Sequence, residues 1–519
     1  MRIDSRKLIL WLLAIICYPG MLSGSQPAES LNILFIAVDD LRPELGCYGN
    51  ADIQSPNIDA LAEKSLLFKR AYCQQAVCNP SRVSLLTGMR PDSTKVWDLV
   101  TQFRDVAPDL TTFPQHFKRN GYRALGYGKI FHNPWPDNVS WSEPHQWPRD
   151  AQLWSSEAKA DLAAFKKQLR LDGRPERLIN RLRARATEQV DLEDHEHIDG
   201  AIANQAIEAL RQLANQDPPF FLAAGFVRPH LPFVVPQKYW DIYDRNRIPL
   251  AENAAPPQDA PAYAMNTMYE LRDYYDFLET PAPLEGALTQ EQQRELKHGY
   301  YAAVSFVDAQ IGRLLGELDR LQLRDKTVIV LWGDHGWKLG EHRSWCKQTN
   351  YEIDTRIPLL ISVPQNHPLQ TTGTQCDAIV ESLDIFPTLC ELAGLTCPEQ
   401  LEGVSLVPLL QQNDVNWHNR AISQFPRHDG KRELMGYALR SERYRYIEWL
   451  DRNTCGTVAT ELYDHEHDPQ ENQNRSNENS HKQIVAEQSQ LLWETIKRPE
   501  PGDLAKPEIQ KQEVIPTRP

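Results

Sequence analysis

Residues 33–38 read Ile-Leu-Phe-Ile-Ala-Val, and comparable apolar runs recur at 123–127, 220–225, 328–332 and 359–363. None alternates strictly between apolar and polar, so each predicts a strand buried on both faces, as in a parallel sheet covered by helices. Between these runs apolar residues return every three or four positions, over 58–71, 113–120, 198–214 and 294–321, which predicts helices. Strands alternating with helices give an α/β fold built on a large, mainly parallel sheet flanked by helices. Residues 133–196, rich in Trp, Pro and charge, read as an insertion over the sheet edge. Residues 248–283, with many prolines and tyrosines, read as a loop near a pocket rim. Beyond about residue 426 the pattern changes. Residues 435–441 and 444–449 predict a hairpin, and a helix over 480–496 completes a small α+β subdomain. The expected organisation is a main α/β domain over 30–425, a C-terminal subdomain over 430–496 and a flexible tail over 497–519.

The start of the chain changes where the protein is expected to work. Arg2, Arg6 and Lys7 precede an apolar run over 8–17, and Ser23, Gly24 and Ser25 follow, the layout of a signal peptide over 1–25. Export is expected: periplasmic or secreted in a bacterium, lysosomal or secreted in a eukaryote. The run is too short to span a bilayer comfortably, so no stable membrane insertion is expected. The formal net charge of −14 argues against nucleic-acid binding, while leaving room for a local basic pocket. Nine cysteines in 519 residues make no disulfide scaffold. Bridges such as Cys376 with Cys390 or Cys397 stay open.

The candidate chemistry gathers at strand ends. The run 33–38 ends in Asp39-Asp40, 123–127 leads to Lys129 and His132, 220–225 to His230, and 328–332 to Asp334-His335. Open α/β sheets bind ligands outside the carboxyl ends of their strands. One acidic pair after a strand is usually a cap, but four convergent ends are hard to explain that way. Asp39, Asp40 and Asp334 in one small volume would raise one another's pKa unless a cation neutralised them. Oxygen donors favour calcium or magnesium, although His335 is a more usual ligand of zinc. In Cys78-Asn79-Pro80-Ser81-Arg82, Pro80 suits a first helical turn. Cys78 would then sit at a helix N-terminus, which favours anions. The plainer reading is a buried cysteine at a helix cap.

At this segment the chain resembles the type I, formylglycine-dependent sulfatases. Cys-x-Pro-Ser-Arg is similar to the family's signature for oxidising cysteine to formylglycine, with Thr87-Gly88 as its continuation and Gly128-Lys129 as its second signature. The resemblance runs from about residue 32 to 468. Residues 76–87, 128–132, 229–230, 337–342 and 435–437 are similar to the iduronate-2-sulfatase branch, which also carries histidine at the position of His335. It implies an alkaline-phosphatase-like sandwich and one Ca2+ (Mg2+ is the alternative) at Asp39, Asp40, Cys78, Asp334 and His335. It further implies that Cys78 becomes an aldehyde whose hydrate attacks sulfur, with the second hydroxyl losing its proton to His132. His230 is implied as general acid, and Lys129, Lys347 and Arg82 as charge balance. The implied partners are a sulfated saccharide and, during maturation, a formylglycine-generating enzyme or an anaerobic maturase. Residues 133–196 depart from that branch, so the sugar is less well specified than the ester.

Two other functions share parts of this pattern: a phosphodiester or phosphonate monoester hydrolase of the same fold, and a non-catalytic binder of sulfated glycans. The complete set of acids, cysteine, lysines and histidines speaks against the binder. His195-Glu196-His197 and His465-Glu466-His467 read as solvated loops rather than metal sites, and the basic run 166–185 as helices facing water. Trp337 fits a sugar pocket and a core equally well.

Overall fold

The computed structural model describes residues 30–148, 151, 153–369, 373–411 and 415–507. The signal peptide expected over 1–25 and the end of the tail, 508–519, lie outside the described residues. Seven strands form the main sheet: β1 (Asn32–Val38), β2 (Leu66–Tyr72), β3 (Arg123–Gly128), β4 (Phe220–Phe226), β5 (Thr327–Gly333), β6 (Arg356–Ser362) and β7 (Thr374–Glu381). Their order across the sheet is β7-β2-β6-β5-β1-β4-β3. The pairs β1–β4, β1–β5, β3–β4 and β7–β2 are parallel, whereas β6 runs antiparallel to both of its neighbours. The expectation of a mainly parallel sheet holds, with β6 as the reversed member.

The sheet is covered on both faces because its strands have no polar face to expose. Ile33, Phe35 and Ala37 of β1 join one core with Phe113, Phe117 and Phe386, whereas Leu34, Ile36 and Val38 join the other with Ile202, Leu210, Val304 and Ile311. That division is the two-residue period of a strand. The covering helices are α1 (Pro56–Ala62), α2 (Cys78–Thr87), α3 (Phe113–Arg119), α4 (Ile198–Leu213), α5 (Gln290–Arg320) and α6 (Ile385–Leu392). The helix expected over 58–71 stops at Ala62, and its second half is β2. Apolar residues at 58, 61 and 62 keep helical spacing, but Leu66-Leu67-Phe68 is a continuous run that a sheet buries on both faces.

The insertion over 133–196 does cover the sheet edge. Gln146 N donates to Gly126 O at 3.0 Å and Gly128 N to Gln146 O at 2.9 Å, which occupies the free side of the edge strand β3. Most of the basic run lies on two helices, Ser156–Leu171 and Glu176–Arg181, whose charged residues are largely solvated.

Four antiparallel strands form the second sheet: β8 (Ala421–His428), β9 (Glu433–Arg440), β10 (Tyr444–Asp451) and β11 (Thr457–Asp464). One of its faces packs with Trp97, Leu492 of α7 (Lys482–Thr495) and Leu504. Leu504 is buried, and its carbonyl accepts from Arg452 Nε at 3.1 Å and Nη2 at 2.6 Å. The tail expected to be flexible from 497 is therefore held on this sheet at Leu504. The other face packs Ala438, Ile447, Trp449 and Tyr463 against Ala264, Met265 and Tyr351. Those last three belong to the loops that wall the site.

Candidate active site

Each functional side chain owes its position to a strand end or a helix start. β1 ends in Asp39 and Asp40, both fully buried. Asp40 adopts the left-handed conformation (φ 59), which a short polar residue tolerates. Its N–H donates to Asp334 Oδ1 at 2.9 Å, and its carbonyl accepts from Tyr300 Oη at 2.9 Å. β3 ends at Gly128, paired with Gly225, the last residue but one of β4. A side chain on Gly128 (φ 69) would lie 2.1 Å from Gly225 O, so only glycine lets Lys129 N reach that carbonyl at 2.7 Å. Cys78 is the first residue of α2, which ends at Gly88 (φ 68), where a Cβ would strike Leu401.

Arg82, one turn into α2, ties these ends together. Its Nη2 meets Asp39 Oδ1 at 2.9 Å, its Nε donates to Asp334 Oδ2 at 3.0 Å, and its Nη1 donates to Lys129 O and to Ile130 O. Arginine and both carboxylates are fully buried. Arg82 is thus occupied by the acids and two carbonyls, so its charge balances theirs and does not face an open pocket. Lys129 Nζ pairs with Asp39 and approaches Cys78 Sγ at 3.7 Å.

Lys347 Nζ contacts Asp40 Oδ1 at 2.7 Å, Asp40 Oδ2 at 3.0 Å and Glu270 Oε1 at 3.2 Å. It lies 5.0 Å from the ring centroid of Trp337, which is buried, so Trp337 supports the lysine from within the core. Cys346 (φ 69) and Gln348 (φ 83) flank Lys347 in the left-handed region, where strain in non-glycine residues clusters at functional sites. His230 Nε2 faces Glu270 Oε1 at 3.1 Å and Asp40 Oδ2 at 3.9 Å, with its Nδ1 at Leu231 O.

The electrostatics divide the two neighbouring aspartates. Burial works to raise Asp39, but Lys129 and Arg82 hold it well below the usual carboxylate range. Burial pushes Asp40 up to about 7 against Lys347, with the charge of Asp39 adding to the rise. Burial and then Asp39 also push the Cys78 thiol up. Burial pulls His132 down to about 2, reinforced by Lys129, and its Nδ1 is buried without a hydrogen bond. Burial alone would lower Lys347, yet Asp40 raises it well above an ordinary lysine.

The donor set suits a hard divalent cation. Asp39, Asp40, Cys78 and His230 form one group of potential ligands within 4.8 Å of one another, and Asp39, Cys78, Asp334 and His335 form another. His335 Nδ1 lies 3.0 Å from Gly336 O and donates to it, which leaves the Nε2 lone pair towards Cys78 Sγ and Asp40 Oδ1, each at 3.4 Å, and Asp334 Oδ2 at 3.5 Å. A lone pair among carboxylates, with one aspartate already raised, is an arrangement that a cation relieves.

All ten residues singled out in the sequence therefore meet at one edge of the sheet. His132 joins through its electrostatic neighbours Lys129, Asp39, Arg82 and His230. A model of the sulfatase family matches residues 31–395, more than half of the chain. The chain belongs to the sulfatase family. It is a hydrolase of sulfate esters, in a family that works with formylglycine and a divalent metal. A second family model, for the C-terminal part of N-sulphoglucosamine sulphohydrolase, matches residues 340–498 of this sulfatase. Iduronate 2-sulfatase of Mus musculus is 35% identical, covering 88% of this chain and 93% of the relative. Two solved structures, each 24% identical, share the fold. One is the phosphonate monoester hydrolase of Agrobacterium radiobacter (TM-score 0.65, 90% of this chain and 95% of that one). The other is a protein in complex with its substrate D-glucosamine-2-N,6-O-disulfate (TM-score 0.67, 91% and 98%).

Sequence reasoning missed Glu270, which bridges Lys347 and His230, and its neighbour Tyr269. Both lie in the irregular stretch over 248–283, where no periodicity marks a residue's direction. The two His-x-His segments are less solvated than expected. His197 is buried, with Nε2 2.8 Å from Val234 O, and His465 Nε2 pairs with Glu471 at 2.9 Å.

The loop carrying Lys347 has its own pH sensitivity. His342 is buried, its Nε2 donating to Gln470 O at 2.9 Å, and burial followed by Lys338 pulls it down from 6.5 to about 4. The unfolded chain takes up this proton near pH 6.5 while the folded chain resists until about 4. Stability is therefore expected to fall as pH drops through that window, by about 3 kcal/mol from this group. His342→Gln should show a shallower loss of urea-unfolding free energy between pH 7 and 4.5 than the parent enzyme. Parallel curves would assign the sensitivity elsewhere.

Proposed function

We propose that this sulfatase removes the 2-O-sulfate of a hexuronate in a sulfated glycan. The observation that carries the reading is the similarity to iduronate 2-sulfatase, 35% identical and covering 88% of this chain. Asp39, Asp40, Asp334 and His335 would hold the cation, calcium by the hardness of its donors, and it would supply a positive charge for the sulfate oxygens and the nucleophile. The formylglycine made from Cys78 would supply a geminal diol as nucleophile. The chain's own groups do the rest. Lys129 and Lys347 stand beside Cys78 and Asp40 to offset sulfate charge. His230, its Nδ1 engaged by Leu231 O, presents Nε2 as the proton donor to the leaving sugar oxygen. His132, buried near Lys129, would take the proton of the second hydroxyl as sulfate leaves.

Export through the segment 1–25 and oxidation by a formylglycine-generating enzyme or an anaerobic maturase complete the reading. It is tested by peptide mass spectrometry across Cys78, chelation, and a screen of sulfated mono- and disaccharides. The expected results are an aldehyde at position 78, loss of activity in chelator with recovery in calcium, and preference for a 2-sulfated uronate. Faster turnover of an aryl phosphodiester than of an aryl sulfate would move the assignment to the phosphonate-hydrolase reading.

A further inference from the structure

The wall beside Lys347 holds a cation that the chemistry above does not use. Arg427, near the end of β8, is half-buried over the Phe425 ring, 4.4 Å from its centroid. Its side chain donates to three backbone carbonyls: Pro426 O at 3.2 Å, Ala264 O at 3.5 Å and Gln348 O. Its Nε is buried without a partner, and no carboxylate lies within ion-pair distance among the described residues. Arg82, Arg90, Arg440 and Arg445 are each paired with an acid, whereas Arg228 and Arg452, like Arg427, are held by backbone carbonyls. Burial pulls Arg427 down to about 10, incompletely offset by Asp354. Three carbonyls satisfy part of its hydrogen bonding but leave its charge without an opposing one, which an anionic ligand would supply.

Its place gives it a use. The Gln348 carbonyl that it contacts follows Lys347, and Gln348 Nε2 donates to Tyr269 Oη at 2.6 Å. Tyr269 is 39% exposed and adjoins Glu270, which contacts Lys347 at 3.2 Å. Arg82, Lys129 and Lys347 are each already paired with an acid of the site, Asp39, Asp40, Asp334 or Glu270. A second anionic group on the same sugar needs another cation.

We propose that Arg427, with Gln348 and Tyr269 beside it, forms a subsite for the carboxylate of the uronate whose sulfate is held at Cys78. The subsite rests on the sulfated-uronate reading and adds the group that selects for it. The test uses three aryl glycosides: a 2-sulfated hexuronate, its methyl ester, and a 2,6-disulfated neutral hexose. Parent kcat/KM is expected to favour the free acid over the ester by about 10- to 100-fold. Arg427→Gln should lower the acid to the level of the ester, mainly through KM, leave the ester and a simple aryl sulfate unchanged, and recover in part in Arg427→Lys. Equal losses on acid and ester would make Arg427 a staple between loops and overturn the subsite. So would a parent enzyme indifferent to esterification, or a loss confined to the disulfated hexose, which would assign the position to a second sulfate. A parent enzyme that cleaves the aryl sulfate and none of the glycosides would refute the uronate reading itself, and the subsite with it.

Discussion

Cys78→Ser, produced together with the enzyme that oxidises the parent cysteine, is expected to lose steady-state turnover by on the order of a thousandfold or more. Serine offers one hydroxyl. Once that oxygen has taken the sulfuryl group, nothing remains on its carbon to expel sulfate. The variant should therefore give at most one turnover and retain the mass of one SO3 group on the peptide holding residue 78. The unmodified cysteine is no substitute. It is buried, and burial followed by Asp39 pushes its thiol up, so thiolate is scarce at neutral pH. Parental rates from Cys78→Ser would place the nucleophile elsewhere.

Arg82→Leu is expected to cost about 3–5 kcal/mol of folding stability, because it leaves buried Asp334 without its guanidinium partner and Asp39 with Lys129 alone. Lysine cannot stand in, since it lacks the planar fork that reaches two acids and two carbonyls together. The loss would be read as a lower urea midpoint at unchanged slope. Added divalent cation should recover more stability in the variant than in the parent, since the same acids then have a second source of charge. An unchanged midpoint would mean that the surrounding backbone donors suffice for the two aspartates.

Much of this site could be read from the sequence because it is built at strand ends. A buried parallel strand is a short apolar run whose end is plain, and Asp39-Asp40, Lys129 and Asp334-His335 stand directly beyond such ends. Cys78 and Arg82 could be read for a related reason, because Pro80 marks the first turn of α2. The direction of β6 could not, since an apolar run buried on both faces carries no sign of orientation. Nor could Glu270, Tyr269 and Arg427. They reach the site through loop geometry and through the packing of β9–β11 beneath Ala264, Met265 and Tyr351, contacts between residues far apart in the chain.

The enclosure of position 78 also fixes an order of events. Its side chain is 2% exposed, capped by Lys129 and His335, with Asn79 bound to the carbonyls of Asp98 and Thr101 overhead. No second protein can grasp that residue once the chain has closed round it. On the proposed maturation, a separate oxidising enzyme would have to meet this segment before the fold closes, and a folded chain that still carried the thiol would need unfolding to be repaired.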